Sequence, residues 1–309
     1  MTSTSSSSIF RKRARPRDWA KSSVQEAFAT LWSAGFRLLS HLRTSRAQEV
    51  FFGNDGSVLV VAPHPDDEVV GCGGAILRHE AAGAQVSVAY VTDGRRSRAF
   101  GLAPQQMAET RRLEAEAAAV HLRIDRFEWF KLPEGEWQQN LLQSRLCELL
   151  RRCKPTFVYA PSRVDFHPEH HAIAHALAQA LATCYPGDDG PRIRIFQIQV
   201  PLSAVLVNRV VDISSVASAH GSALDAHASQ RGSIVPCLRV KRYAARAHRL
   251  AGLAEVFWEM TTNDYFELHR ESPDRWLDRF RGIRYLAVSD PAAYLVGRTA
   301  RRRLIAVCR

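Results

Sequence analysis

His64, Asp66, Asp67 and Glu68 crowd into a loop held by Pro63 and Pro65, directly after the apolar run Val58-Leu59-Val60-Val61-Ala62. A second cluster, Asp165-Phe166-His167-Pro168-Glu169-His170-His171, follows another apolar run, Thr156 to Ala160. Hydrolysis of an amide at neutral pH needs a strong oxygen nucleophile and a place for the oxyanion. A catalytic zinc offers both: it lowers the pKa of its water to about 7 and keeps a position open when the protein gives only three ligands. His64, Asp67 and His170 supply such a His2Asp set. Asp66 is left beside it as general base, and His167 is placed to polarise the carbonyl or protonate the leaving amine. Asp165 is expected to orient one of the histidines. His171 shares the helix of His170 but is not expected to be a ligand, and His79 and His121 are expected at the surface.

These residues need a scaffold that brings two strand ends together. From Ser57 onward apolar β-type runs alternate with helical periodicity, strands near 57–62, 85–91, 126–132, 156–160 and 192–200 and helices near 69–82, 104–122, 139–153 and 170–184. This alternation predicts an α/β fold with a doubly wound, largely parallel sheet and helices on both faces. Ligands in such a sheet bind at the carboxyl ends of the strands. Val205-Leu206-Val207 and Val210-Val211-Asp212-Ile213 predict a further strand or hairpin, with helices near 214–230 and 241–259.

Gly71-Cys72-Gly73-Gly74 is not a phosphate-binding turn, because it lies several residues past an acidic loop; small residues for close helix packing explain it better. No Gly-x-Ser-x-Gly elbow is present.

The 309 residues carry a formal net charge of +11 with 46% hydrophobic residues, which supports a folded core and a preference for anionic surfaces. The six cysteines lack any Cys-x-x-Cys spacing, so neither a zinc ribbon nor a disulfide framework is expected. No apolar run approaches the roughly 20 residues needed to span a bilayer, and no leader of secretory type is read at the Ser/Thr-rich, then basic, N-terminus. A cytoplasmic protein is expected.

Residues 1–55 read as a basic tail followed by an amphipathic helix in which Phe28, Leu31, Trp32, Phe36 and Leu39 share one side. That helix suits either packing on the core or peripheral contact with an anionic membrane. Residues 56–235 read as the catalytic domain and 236–309 as a helical, basic extension packed on it.

Pro63-His64-Pro65-Asp66-Asp67-Glu68 with Gly73-Gly74 resembles the signature of the PIG-L/LmbE-like zinc deacetylases. Thr92-Asp93-Gly94, Arg111-x-x-Glu114, Leu132-Pro133-Glu134-Gly135, His167-Pro168-Glu169-His170, Val211-Asp212-Ile213-Ser214 and His227-Ala228-Ser229-Gln230 resemble further family motifs, in the expected order. The resemblance covers about Ser57 to Gln230. It implies a Rossmann-like fold and removal of N-acetyl groups from glucosamine-containing glycoconjugates. It also implies zinc at His64, Asp67 and His170, with another divalent metal such as Fe2+ as the alternative, Asp66 as base, His167 as oxyanion stabiliser or acid, and Asp93 with nearby Arg95 or Arg96 lining the sugar site. Glu169 departs from the aspartate usual there, and His220 from a lysine. The same amide chemistry on a non-sugar, antibiotic-like substrate is the nearest alternative. A basic membrane- or nucleic-acid-binding protein with a vestigial metal site is the other, with nucleic acid the less favoured partner.

Overall fold

The computed structural model describes residues 47–270, apart from positions 54, 164, 166, 188, 199–201 and 203–205, together with Leu31 and Ala34. Those two positions aside, the expected N-terminal amphipathic helix, its membrane contact, and the tail beyond residue 270 lie outside the described residues.

Among the described residues, eight strands form one sheet: β1 (Gln48–Glu49), β2 (Ser57–Ala62), β3 (Gln85–Thr92), β4 (Arg126–Leu132), β5 (Phe157–Ala160), β6 (Arg192–Ile195), β7 (Arg209–Asp212) and β8 (Ala254–Met260). Their spatial order is β1-β7-β8-β6-β5-β2-β3-β4. Among the described residues, six α-helices run between the strands, α1 (Asp67–Ala81), α2 (Pro104–Leu122), α3 (Gln139–Cys153), α4 (Pro168–Cys184), α5 (Ala217–Ala226) and α6 (Arg231–Ala247), and a seventh, α7 (Thr262–Leu268), follows β8. The strands from β2 to β6 pair in parallel, as the alternation predicts. Their side chains alternate between two cores. Leu59, Val61, Val91 and Val158 pack under α3, α4 and α7, whereas Val58, Val60, Val88 and Tyr90 pack under α1, α2 and α5. Strands buried on both faces read as continuous apolar runs, which is why they are visible in the sequence.

The C-terminal part differs from expectation. The stretch near 241–259 reads as one helix and 236–309 as an appended extension. In the structure α6 crosses that boundary and ends at Ala247, the chain turns through Arg249 in the left-handed region (φ 64), and residues 254–260 form β8. That strand lies between β6 and β7, antiparallel to both. Its sequence, Ala-Glu-Val-Phe-Trp-Glu-Met, is β-branched and aromatic at its centre. The basic helix just before it, ending in Tyr243-Ala244-Ala245-Arg246-Ala247, masks the change of period. Among the described residues no helix is long and apolar enough to cross a membrane.

Strands β3 and β4 continue from β2 in one direction, while β5 pairs on its other side. The reversal leaves a crevice at the carboxyl ends of β2 and β5, where loops diverge. The His64 loop follows β2 and the His167–His170 segment follows β5.

Candidate active site

The loop after β2 is anchored at Pro63, whose carbonyl accepts hydrogen bonds from the Thr92 amide (3.0 Å) and hydroxyl (2.8 Å). The chain then turns tightly: the Asp67 amide donates to the His64 carbonyl at 3.2 Å, and the His64 amide donates to Asp67 Oδ2 at 2.8 Å. Asp66, at the start of α1, takes φ 142, a conformation that side chains other than glycine rarely adopt. On the other side, Pro168 opens α4 with His167 at its cap, and Glu169 and His170 in its first turn.

Three donor atoms converge. His64 Nδ1 lies 3.1 Å from Asp67 Oδ2 and 3.2 Å from His170 Nε2, and His170 Nε2 lies 3.3 Å from Asp67 Oδ2. Tetrahedral bonds of about 2.0–2.1 Å place neighbouring donors about 3.3 Å apart, so this triangle fits a zinc-sized cation. Each imidazole is oriented from behind. His64 Nε2 meets Glu169 Oε2 at 2.8 Å, and His170 Nδ1 lies 3.1 Å from Asp165 Oδ2. A proton held on those outer nitrogens leaves the inner lone pairs for a metal. Burial works against charge on both rings, but the carboxylates prevail and raise His64 to about 9 and His170 to about 10. For Asp67, burial is outweighed by the two imidazoles, which hold it well below the usual carboxylate range. Two imidazolium groups around one carboxylate is a charge pattern that a divalent cation would replace.

Other groupings of potential ligands share these residues. Ligand-capable atoms of His64, His167 and His170, and separately of His64, Glu134 and Glu169, lie within 4.8 Å of one another. The His64–Asp67–His170 triangle is tighter and leaves Glu169 free to orient His64.

Asp66 faces the same space without joining the triangle. Its Oδ1 accepts a hydrogen bond from Arg111 at 2.6 Å, and the same guanidinium donates to the Pro65 carbonyl at 2.7 Å. Burial pushes Asp66 up to about 6, against the pull of Arg111. The His167 ring packs edge-on against His64, with centroids 4.6 Å apart. Burial, reinforced by the charges on His64 and His170, pushes His167 down to about 4, so it is neutral at neutral pH.

A cavity of about 280 Å³ opens on this cluster, lined by His64, Asp66, Asp67, His167 and His170, with Arg96, Glu134 and Gln230 on its polar side and Val70, Ile198 and Ile234 on its apolar side. Of the residues expected at the sugar, Arg96 lines this cavity. Asp93 and Arg95 pair with each other (Nε–Oδ2 2.7 Å) and line a neighbouring cavity of about 300 Å³ with Trp129 and Lys131.

Two contributors escape the sequence reading. Glu169 has no role there, although its carboxylate joins His64 to the Gly135 amide and to Trp137 Nε1 (3.0 Å). Arg111 enters only as part of a motif. It shares the buried stripe Met107, Arg111, Ala115, Ala118 and Leu122 of α2, and an arginine on an apolar stripe is a readable signal of a buried partner. His79, expected at the surface, is fully buried with Nε2 2.9 Å from the Tyr159 hydroxyl, whereas His121 is exposed. His171 is buried, with Nε2 2.7 Å from the Asp165 carbonyl.

Residues 59–181 match the family model described as PIG-L, GlcNAc-PI de-N-acetylase. A Bacillus cereus protein named "Probable N-acetyl-alpha-D-glucosaminyl L-malate deacetylase 2" is 28% identical over 213 residues, covering 65% of this chain and 96% of that protein. The fold resembles N,N'-diacetylchitobiose deacetylase from Pyrococcus horikoshii, with a TM-score of 0.60 and 23% identity over 68% of this chain and 85% of that one. It also resembles GalB, a 4-carboxy-2-hydroxymuconate hydratase from Pseudomonas putida, with a TM-score of 0.58 and 24% identity over 66% of this chain and 96% of that one.

Proposed function

We propose, from the match of residues 59–181 to the PIG-L family model and the likeness to a deacetylase relative, that the chain is a metal-dependent hydrolase that removes the N-acetyl group from an N-acetylglucosamine-type glycoconjugate. The observation that carries this reading is the donor triangle of His64, Asp67 and His170 with Asp66 beside it, unbonded to the triangle and open to the cavity. The fold alone does not choose the reaction, since a hydratase shares it.

His64, Asp67 and His170 would hold the metal, with zinc the expected ion. When bound, it supplies Lewis acidity that polarises the acetyl carbonyl and makes water a stronger nucleophile. The chain's own residues do the rest. Asp66, held by Arg111, takes the proton of the attacking water and passes it to the leaving amine. A carboxyl near 6 suits both transfers, because it is ionised at neutral pH and still basic enough to hold a proton briefly. Neutral His167 donates an N–H to the oxyanion as it develops. Glu169 and Asp165 keep the two metal-binding imidazoles in the required tautomer and orientation.

The sugar amide as substrate is supported by the family description and by the deacetylase relative, both of which name a glucosaminyl unit. Arg96, exposed at the cavity, offers a charge to the part of the substrate beyond the sugar. The test is mass spectrometry across N-acetylglucosaminyl lipids, thiol conjugates, free sugars and non-sugar amides. The proposal expects loss of one acetyl unit from a glucosaminyl member, abolished by a chelator and restored by zinc. Loss of acetyl only from non-sugar amides would replace the substrate class.

A further inference from the structure

Helix α1 carries Asp67 in its first turn but is not one straight helix. At Cys72 the backbone leaves helical geometry (φ −147, ψ 21), so residues 67–71 form a segment of little more than one turn. Such a segment has almost no stability of its own. Its direction, and with it the position of Asp67, depends on what holds the break.

Two buried side chains from later in the chain, Glu255 and His220, hold it, and a third, Lys241, pairs with the first. In an unbroken helix the Gly74 and Ala75 amides would bond to the carbonyls of residues 70 and 71. Here the Gly74 amide donates to Glu255 Oε1 at 2.9 Å and the Ala75 amide to Glu255 Oε2 at 2.8 Å. One carboxylate thus caps the second segment, where the helix dipole favours negative charge. His220 Nε2 lies 3.0 Å from the Val69 carbonyl, at the end of the first segment. The glycines permit this approach: a Cβ on Gly73 would lie 2.8 Å from the His220 ring, and one on Gly74 would lie 2.4 Å from Ile213.

Glu255 is 2% exposed and needs a counter-charge. Lys241 provides it, with Nζ 2.6 Å from Oε1 and 4% exposure. His220, 3.9 Å from the same oxygen, does not, because burial and the nearby Lys241 charge push it down to about 4. The cluster lies just behind the substrate cavity: Val70 and Ile198 line both that cavity and a small gap bordered by Lys241 and Glu255.

We infer that the Lys241–Glu255 pair is a positioning device for Asp67: it clamps the break in α1 from β8 and α6, and so sets the metal-binding geometry without touching metal or substrate. The inference rests on the proposed role of Asp67 as a ligand. Zinc affinity of the full chain, measured by competition with a chromophoric chelator, tests it, with the melting temperature of each zinc-stripped variant measured alongside. Glu255→Gln and Lys241→Met should each weaken zinc binding by about tenfold or more, the range seen when a ligand's outer partner is removed. Lys241→Arg keeps the cation and should stay close to wild type. A purely structural pair would lower the melting temperature and leave the affinity of the folded protein unchanged; that result, in either variant, overturns the inference. If Glu255→Gln does not fold, Lys241→Met decides. Failure of both to fold, with Lys241→Arg failing as well, also overturns it, because stability alone would then account for the pair. His64→Ala serves as the control. Full zinc affinity in that variant would sink the ligand reading itself rather than the clamp.

Discussion

The His64 cluster and the His79 cluster are both buried, both rich in histidine and carboxylate or phenol, and both attached to the same helix, α1. Around His79 the ring faces other protein groups rather than a cavity: Nε2 lies 2.9 Å from the Tyr159 hydroxyl, Nδ1 lies 3.0 Å from Asp55 without hydrogen-bond geometry, and Tyr159 is in turn bonded to Arg194, which pairs with Glu259 at 2.8 Å. Around His64 and His170 the outer nitrogens close on Glu169 and Asp165, but the inner atoms point at one another across a space that opens to a cavity. Burial of a histidine is therefore not the functional signal. Convergence of several lone pairs on one point, with each ring held from behind, is.

The strongest way to break that contrast is to remove converging atoms. His64→Ala, Asp67→Ala and His170→Ala should each lose most bound zinc and all measurable turnover, because a three-ligand site has no spare donor. His79→Ala should keep its zinc. Metal analysis of the purified variants checks this, and full zinc content in any of the first three removes that residue from the set.

Removing an orienting group should cost less. Glu169→Gln leaves the donor triangle intact but offers His64 a weaker, uncharged acceptor. Zinc affinity is expected to fall by roughly 10- to 100-fold with the fold preserved. An unchanged zinc titration would assign Glu169 to the Gly135 and Trp137 contacts alone.

The smallest effect concerns stability. His79 is pushed down to about 3 by burial, with Arg194 adding to it, and His220 to about 4. The unfolded chain takes up these protons near pH 6.5, whereas the fold refuses them until far lower pH. The stability is thus present above about pH 6.5 and is lost as pH falls toward about 4. Urea unfolding at about pH 7 and about pH 5 should show a lower midpoint in acid, and His79→Gln should reduce the difference. Equal wild-type midpoints would mean that these sites accept protons in the folded state.

Much of this is legible in the sequence, for physical reasons. Parallel strands buried on both faces leave runs such as Val58–Ala62, and proline-framed clusters mark the strand ends. What cannot be read are contacts distant in the chain. Glu169 reaches His64 across 105 positions, and nothing local to either residue reports that. β8 is hidden because the basic helix α6 is joined to it by a short turn that carries neither a proline nor an Asn-Gly pair. His79 fails differently: a single polar residue on a helix gives no sign of which partner waits beneath. Arg111 is readable, since its place on the apolar stripe of α2 demands a buried acceptor, which is Asp66.

In the proposed mechanism one loop uses neighbouring aspartates for different tasks, Asp67 to bind metal and Asp66 to move the proton. Asp66→Asn preserves shape and removes basicity. The most direct measurement is acetate release by this variant, loaded with zinc, beside the wild type on the same N-acetylglucosaminyl substrate. Asp66→Asn is expected to keep wild-type zinc content with turnover reduced by roughly 10²–10⁴. Turnover near the wild-type rate at full zinc content would contradict it.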